Sequence, residues 1–248
     1  IYGAGNNPEG IDMFADRDPR LYETMTVPRQ SFPSGTVGDY NGFTYIDTWV
    51  NGAMYKDAAN FGDLSADAAT NYRKFKWFLD YSGGKMDDEF IGVSYIRLAE
   101  MYLIYAEALA ETGRLQDALD QLHVVRSRVG LGRLETMNPQ LNLTSDKEAL
   151  INEILRERNC EIGAECGDRL YDMVRRKRQD LFTKPLHEIR VYRLDDNGNR
   201  MEGDDLRWDP STPWPDFEYE KVRISVGARR WWDEGYWTNK WYLDPVSR

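Results

Sequence analysis

The sequence predicts a mainly helical fold with irregular loops and a few short strands. The central residues 95–178 carry apolar side chains at the i, i+3, i+4 spacing of amphipathic helices. Residues 1–94 and 179–248 are richer in Gly, Pro, Asn and aromatic residues, which interrupt regular structure. We therefore expect a loop-rich region 1–94, a helical core 95–178 and a loop and short-strand region 179–248. No linker separates them, so residues 1–248 are assigned to one domain.

The helical core begins with two helices, predicted over 95–112 and 115–129. The apolar stripe predicted for the first helix comprises Tyr95, Leu98, Ala99, Tyr102, Ala106 and Leu109. Gly113 follows this helix, as glycine often does at a helix C-terminus. The very short connection makes the two helices antiparallel neighbours. Ala106, Gly113 and Ala118 have the spacing of the small residues of a tetratricopeptide repeat, which let two helices approach closely.

Two further helices are predicted after a loop at 130–144. Ser145 and Glu148 are typical of a capping box and open a helix that runs to about Glu161. The last predicted helix covers about 168–178, where apolar residues again recur at helical spacing.

Short strands are predicted mainly near the end of the chain. Ile189–Leu194 alternates in polarity like a strand, and Asp196–Asn199 contains the Asn-Gly pair of a hairpin turn. Lys221–Val226 and Lys74–Asp80 are further candidate strands. Residues 203–220 are acidic and contain three prolines, so a loop is predicted there.

Composition narrows the classes of function. Lys and Arg number 32 against 42 Asp and Glu, which gives a formal net charge of −10. Because a basic face supplies most of the affinity for nucleic acids, we expect no nucleic-acid partner. No segment approaches the ~20 apolar residues of a membrane-spanning helix.

Neither a metal nor a cofactor is expected. Cys160 and Cys166 have neither the spacing of zinc ligands nor a nearby His. Asp195-x-Asn197-x-Asn199 is similar to the start of a calcium loop. It lacks the glycine and glutamate that such a loop requires at its sixth and twelfth positions, so a hairpin turn is favoured.

Three acidic residues form the strongest candidate for catalysis. Glu157, Glu161 and Glu165 recur every four residues and therefore share one helical face. Paired carboxylates perform acid–base chemistry in glycoside hydrolases. Carboxylates on one helix more often pair with arginines, and Arg158 and Arg169 are close in the sequence. Structural ion pairing is favoured, and no catalytic residue is predicted.

The aromatic residues of YNGFTYIDTWVNGAMY, residues 40–55, are the best candidates for ligand binding. Sugars present flat C–H faces that stack on aromatic rings, and side-chain amides bind their hydroxyl groups. The predicted ligand-binding residues are Tyr40, Tyr45, Trp49, Asn51 and Tyr55. Binding residues are concentrated on loops, but the alternation in this segment also suits a plain strand, and the sequence leaves both interpretations open.

Three blocks of the helical core resemble the SusD/RagB family. They read YIRLAEMYLIYAEALAETG, ALDQLHVVRSRVGL and ILRERNCEIGAECGDRLYDMVRR. Asp18-Pro19-Arg20-Leu21 and Lys240-Trp241-Tyr242-Leu243-x-Pro245 also resemble motifs of that family, in the same order. The chain departs from the family pattern at His123, at Val129 and in an additional residue near Cys166. These departures concern the local geometry and not the resemblance to the family as a whole.

The resemblance implies a SusD-like fold and a role in polysaccharide utilization. Proteins of this family are surface lipoproteins of the Gram-negative outer membrane that bind glycans without catalysis, and some members bind peptides. The implied partners are a glycan, a SusC-like TonB-dependent transporter and the missing N-terminal half of the same protein. The lipid anchor would lie in that missing half. In the family, aromatic residues of variable loops supply most ligand contacts, while the Glu/Arg block belongs to the scaffold.

Two other functions are weighed against glycan uptake. A helical-repeat interaction module would bind a protein tightly and bind no sugar. A glycoside hydrolase would release reducing sugars and lose this activity in Glu161→Gln, but no further catalytic constellation supports it. The chain starts at Ile1 and ends at Arg248, which predicts a fragment of a longer protein and therefore the C-terminal part of a SusD-like domain.

Overall fold

The computed structural model describes residues 17–25, 49–52, 96–163, 165, 168–184, 187–203, 206, 209, 212, 215–223 and 238–242. Most regular structure among these residues is helical, with one two-stranded sheet and intervening loops, which confirms the predicted fold class. The chain divides into two compact units. We call residues 18–21 and 90–178 the helical unit, and residues 1–17, 22–89 and 179–248 the sheet unit.

The described residues form seven α-helices, two strands and two short 3-10 helices. The helices are α1 (Pro19–Thr24), α2 (Leu98–Glu111), α3 (Leu115–Ser127), α4 (Leu134–Met137), α5 (Lys147–Ile162), α6 (Asp168–Arg175) and α7 (Gln179–Phe182). The strands are β1 (His187–Arg193) and β2 (Phe217–Arg223), and the 3-10 helices are Pro139–Leu141 and Asn239–Tyr242. Within the described part of the chain, no helix is both long enough and apolar enough to cross a membrane.

Helices α2 and α3 form the predicted antiparallel hairpin and pack along each other. Gly113 joins them with φ +80°, a left-handed conformation that glycine adopts without steric cost. Its N–H donates to the Ala110 carbonyl at 3.0 Å, which satisfies one of the free carbonyls at the end of α2. Ala106 and Ala118 are completely buried. The tetratricopeptide-like arrangement of small residues is therefore confirmed.

The predicted stripe of α2 faces the core, with one exception among its described residues. The fully buried residues are Leu103, Ala106, Glu107, Leu109 and Ala110. Ala106 and Leu109 belong to the stripe, and Ala99 and Tyr102 are partly buried and pack against the same core, whereas Leu98 is 71% exposed. Because α2 has apolar residues around most of its circumference, periodicity alone does not place Leu98 outside the core. The packing of α2 against both α3 and α5 selects the buried side.

Helix α5 is central to the helical unit because it packs against α2, α3 and α6. Its N-cap is Asp146, whose carboxylate accepts a hydrogen bond from the Ala149 N–H at 3.0 Å. The capping box predicted at Ser145 and Glu148 is therefore wrong by one residue. The Ser145 hydroxyl instead donates to the Asn142 carbonyl. Serine and aspartate cap helices equally well, so the preceding turn decides between them.

Apolar side chains from α2 to α5 form the core of the helical unit. Its members are Leu103, Ala106, Leu109, Ala110, Ala118, Leu119, Leu122, Val125, Leu134, Leu143, Leu150, Ile151, Ile154 and Leu155. The loop predicted at 130–144 contains α4 and a 3-10 helix. Leu134 and Leu143 from this segment are buried, which ties the connection to the core.

Strands β1 and β2 of the sheet unit pair in antiparallel register, with Val191 opposite Tyr219. They overlap the strands predicted at Ile189–Leu194 and Lys221–Val226. However, β2 begins at Phe217, inside the segment predicted as a loop over 203–220. The strand predicted at Lys74–Asp80 lies outside the described residues.

The turn predicted at Asp196–Asn199 is present. Gly198 has φ +83°, and the Asp195 N–H donates to the Asn199 carbonyl at 2.9 Å. The turn joins only an isolated bridge between Leu194 and Arg200. Strand β1 forms its ladder with β2, farther along the chain, and contacts the segment after the turn only at its end, where the Met201 N–H donates to the Arg193 carbonyl at 2.8 Å.

Candidate functional site

Trp49 belongs to the predicted ligand-binding segment, and its side chain is completely buried. It packs with Val191, Leu206 and Phe217 in the apolar cluster of the sheet unit. The rings of Trp49 and Phe217 are 5.3 Å apart and tilted by 37°. The indole N–H donates to the Leu206 carbonyl at 2.7 Å, so the polar atom of this buried ring is also satisfied.

Backbone hydrogen bonds hold residues 49–52, which we call the Trp49 turn. The Val50 N–H donates to the Val191 carbonyl on β1 at 2.7 Å, and the Leu206 N–H donates to the Asn51 carbonyl at 2.9 Å. The Asn51 side-chain amide donates to the Gly203 carbonyl at 2.6 Å. Asn51 has φ +62°, a conformation that asparagine tolerates better than most residues. Hydrogen bonds to β1, Gly203 and Leu206 therefore hold the Trp49 turn in place.

The five predicted ligand-binding residues have different outcomes. Tyr40, Tyr45 and Tyr55 lie outside the described residues, and ligand contact there stays a prediction. Asn51 is exposed, and ligand contact there also stays a prediction. Trp49 requires a correction, because a ring with no exposed face cannot stack on a sugar in this conformation. Its position in the apolar cluster makes it a support for the segment.

The acidic residues of α5 are bound by arginines from several parts of the helical unit. Glu157 has no exposed surface and lies between two guanidinium groups. Its Oε1 is 2.7 Å from Nη2 of Arg20, and its Oε2 accepts a hydrogen bond from Arg126 at 2.8 Å. Arg20 also makes a two-point contact with Asp18, at 2.6 and 2.9 Å.

Glu161, one helical turn after Glu157, and Glu165, which follows the end of α5, extend this network. Glu161 accepts hydrogen bonds from Arg20 and Arg97 at 3.1 Å, and from Arg128 at 2.8 Å. Arg97 also binds Glu165 through two nitrogens, at 2.8 and 2.9 Å. We call these groups the arginine–glutamate cluster: Asp18, Arg20, Arg97, Arg126, Arg128, Glu157, Glu161 and Glu165.

The cluster keeps its central carboxylate ionised. Burial raises the pKa of Glu161, but the hydrogen bonds and charges of Arg20, Arg128 and Arg97 outweigh burial and hold that pKa below its usual range. A general acid needs a raised pKa so that it carries a proton near neutral pH. The structure therefore favours the predicted ion pairing over acid–base chemistry.

A second set of ion pairs joins α2 to α6, and the sequence patterns did not predict it. Glu107 is buried on α2 and pairs with Arg175 at 2.5 Å and with Arg176. Asp172 binds Arg158 at 2.8 Å and Arg175 at 2.6 Å. Glu107 lies among small apolar residues in the sequence, and an acid on the buried face of a helix is the signal that predicts such a partner.

A metal site is not evident in the described part of the chain, where no group of three His, Cys, Asp or Glu residues could hold an ion. At the segment considered for calcium, the Asp195 carboxylate accepts hydrogen bonds from the N–H groups of Asn197 and Asn199, at 2.9 and 2.8 Å. These contacts are those of a side chain that stabilises a turn.

The sequence was also compared with known proteins. The family model of the SusD family matches residues 2–222. The chain belongs to the SusD family. The predicted family resemblance is confirmed, and the SusD family in general consists of non-catalytic, nutrient-binding proteins.

The structure is similar to the crystal structure of a SusD-like protein from Bacteroides fragilis NCTC 9343, with a TM-score of 0.56 and 22% sequence identity. The similarity covers 93% of this chain and 36% of that chain. At this identity the likeness supports the SusD-like fold alone. The chain spans about a third of the length of that protein. No curated protein sequence matches the chain significantly.

Proposed function

We propose that this protein binds glycans without catalysis at the bacterial cell surface, for import through a SusC-like TonB-dependent transporter. Membership of the SusD family over residues 2–222 is the observation that carries the proposal. The proposed location is the outer membrane, with a lipid anchor in a region that precedes these residues in the complete protein. A glycan, the transporter and the N-terminal half of the protein are the proposed partners.

Asn51 and the aromatic residues Tyr40, Tyr45 and Tyr55 are the proposed ligand contacts. The amide of Asn51 is exposed, and it retains hydrogen-bonding capacity beyond its single contact with Gly203. The buried Trp49 ring attaches this part of the segment to the sheet unit. A site that is already ordered before binding loses less conformational entropy when the ligand arrives.

The arginine–glutamate cluster supports binding without turnover. Glu161 is 2% exposed and bound by three arginines, and the same contacts lower its pKa. A carboxylate in this state is neither accessible to a glycosidic bond nor able to donate a proton near neutral pH.

A glycan array, followed by calorimetry with the best oligosaccharide, tests the proposal. Asn51→Gly removes the amide but accommodates the left-handed backbone, so folding is retained. We expect about a tenfold loss of affinity, the effect of one hydrogen bond. Asn142→Gly is the matched control, because Asn142 is also exposed and has φ +52°, but it lies in the helical unit. The control is expected to bind as the unchanged protein does.

Three results would contradict the proposal. Binding of peptides and not sugars would indicate a peptide-binding member of the family. A tight protein partner with no affinity for sugars or peptides would indicate an interaction module. Release of reducing sugars that disappears in Glu161→Gln would indicate a glycoside hydrolase.

A further inference from the structure

The segment that holds Asn51 in place is acidic. The Asn51 amide donates to the Gly203 carbonyl at 2.6 Å, and the Leu206 N–H donates to the Asn51 carbonyl at 2.9 Å. In the sequence, the two residues between these partners are both aspartates, and the exposed Glu202 precedes them. Three of the five residues from 202 to 206 therefore carry a carboxylate.

The excess of negative charge extends beyond these five residues. Residues 202–220 contain seven acidic residues and one basic residue, Arg207. The acids are Glu202, Asp204, Asp205, Asp209, Asp216, Glu218 and Glu220. The whole chain has a formal net charge of −10, so its long-range field has the same sign as this segment. An anionic ligand is therefore repelled both at a distance and on approach to Asn51.

Positive charge is scarce among the described residues around the Trp49 turn. The described residues that hydrogen-bond the turn are Val191, Gly203 and Leu206, and none of them is charged. Arg200 is the described basic residue closest to Gly203 along the chain, and two glutamates of β2 bind its guanidinium group at 2.5 and 3.4 Å. Arginine and lysine are the residues that normally recognise carboxylate, sulfate and phosphate groups. The described residues that hold the turn therefore offer such a group no cation.

A neutral sugar matches the polar groups of this segment better than an acidic sugar does. The Asn51 amide donates and accepts hydrogen bonds, whereas the carboxylate of Glu202, one residue before Gly203, only accepts them. Each hydroxyl group of a sugar can donate one hydrogen bond and can also accept, so it suits both groups. A sugar carboxylate or sulfate adds acceptors without a donor, and it brings a second negative charge towards the first.

We propose that the Asn51 site takes glycans that carry no anionic group and discriminates against uronic acids and sulfated sugars. The proposal rests on the proposed function, because it names the class of glycan for the same site. The Asn51 amide supplies a directional contact, and the acidic segment excludes anionic ligands by repulsion. Specificity in proteins commonly depends on such a repulsive element as well as on an attractive one.

Matched oligosaccharides test this selectivity. A glycan array carries each backbone in its neutral form, with one primary hydroxyl oxidised to a carboxylate, and as a sulfate ester. Calorimetry then compares the best neutral sugar with its carboxylate. We expect the carboxylate to bind at least about fivefold more weakly at about 20 mM salt, because three carboxylates of residues 202–206 repel it. The difference should shrink at about 500 mM salt, since salt screens repulsion between charges but leaves the loss of a hydroxyl contact unchanged.

Charge reversal at Glu202 tests the cause of the selectivity. Glu202→Lys replaces an exposed carboxylate and leaves the hydrogen bond between Asn51 and the Gly203 carbonyl in place. We expect about threefold tighter binding of the carboxylate sugar at low salt, with unchanged binding of the neutral sugar. Glu148→Lys is the matched control, because Glu148 is also exposed and the net charge changes equally, but it lies on α5 of the helical unit. Both affinities are expected to stay unchanged in this control.

The outcomes distinguish failure of this proposal from failure of the proposed function. Equal or tighter binding of the carboxylate or the sulfate would overturn the selectivity, while glycan binding itself would stand. A preference that is independent of salt would also overturn it. So would Glu202→Lys if it gave no gain, or the same gain as Glu148→Lys, because the charge next to Gly203 would then not be the cause. If no sugar binds in any form, the proposed function fails, and the selectivity fails with it.

Discussion

The helical unit and the sheet unit are stabilised by different interactions. In the helical unit, arginines bind the buried acids Glu107, Glu157 and Glu161, which lie beside a large apolar core. In the described part of the sheet unit, Trp49 and Phe217 belong to a small apolar cluster, and the ion pair of Arg200 with Glu218 is partly exposed. The helical unit therefore depends on buried acids that each need an arginine partner. The sheet unit instead depends on one large ring, that of Trp49, which holds its segment against the sheet.

Replacement of Trp49 is expected to have the largest effect. Trp49→Ala removes the ring that fills the apolar cluster and its hydrogen bond to the Leu206 carbonyl. We expect the free energy of unfolding of the sheet unit to fall by about 3–5 kcal/mol, as in other large-to-small core substitutions. Urea denaturation followed by near-ultraviolet circular dichroism measures it. Val124→Ala, at an exposed position, is a control for which little change is expected. A small loss in Trp49→Ala would remove the proposed support role.

Loss of a buried acid is the corresponding test of the helical unit. Glu157→Gln leaves the buried guanidinium group of Arg126 without its carboxylate and removes one of the three carboxylates that bind Arg20. We expect a loss of about 3 kcal/mol, because one partner of a buried ion pair is then uncompensated. Urea denaturation followed at the helical signal measures it. Asp117→Asn, in an exposed pair with Arg114, is the control and should leave the midpoint unchanged. Equal effects of the two variants would show that burial of the pairs contributes nothing.

The two units should also differ in their response to acid. Burial raises the pKa of Glu107, but Arg175 and Arg176 hold it below its usual range. A depressed pKa in the folded state contributes stability above the unfolded value of about 4.3, and this stability is lost as the pH falls through the folded value. We expect the helical unit to lose this stability progressively as the pH falls below about 5. In Glu107→Gln the stability should be lower at pH 7 and should depend less on pH.

The control for this experiment is Glu218→Gln. Glu218 also has a lowered pKa, from its hydrogen bonds with Arg200, but it lies near the surface of the sheet unit. In Glu218→Gln, the pH dependence of the stability measured at the helical signal is expected to match that of the unchanged protein. The same dependence in Glu107→Gln and in the unchanged protein would show that this carboxylate is not a source of acid sensitivity.

The smallest effect is expected at the surface of the sheet. Arg200 stacks over the Tyr192 ring at 3.7 Å and binds Glu218 at 2.5 Å. Arg200→Lys removes the planar group but keeps the charge. Because these contacts are half-exposed, we expect a loss of less than about 1 kcal/mol in urea denaturation. A loss as large as that of Trp49→Ala would mean that charge, and not the apolar cluster, stabilises this unit.

The helical unit was the more predictable of the two. Helical periodicity located α2, α3, α5 and α6. The small residues Ala106, Gly113 and Ala118 predicted the close hairpin of α2 and α3. Periodicity placed Ala106 and Leu109 correctly on the buried side of α2. It did not predict the exposure of Leu98, because an apolar residue gives the same sequence signal whether or not it faces the core.

The candidate site was less predictable, for a physical reason. The burial of Trp49 depends on contacts with Leu206 and Phe217, more than 150 positions away, and no local pattern reports such contacts. An aromatic residue in a non-helical segment is equally suited to a core and to a binding surface. Likewise, the exposure of Asn51 follows from the turn that Val191 and Leu206 hold, which alternation does not describe.

The contact of Arg20 with α5 joins two distant parts of the chain, which affects how the helical unit folds. Arg20 binds Glu161 across 141 positions, whereas α2 and α3 meet across a connection of a few residues. Local contacts form faster than distant ones, so we expect the helices to assemble before Arg20 docks. During synthesis Arg20 also leaves the ribosome long before α5 exists. In that interval Asp18, two residues away, provides a nearby carboxylate that can occupy the guanidinium until its distant partners are made.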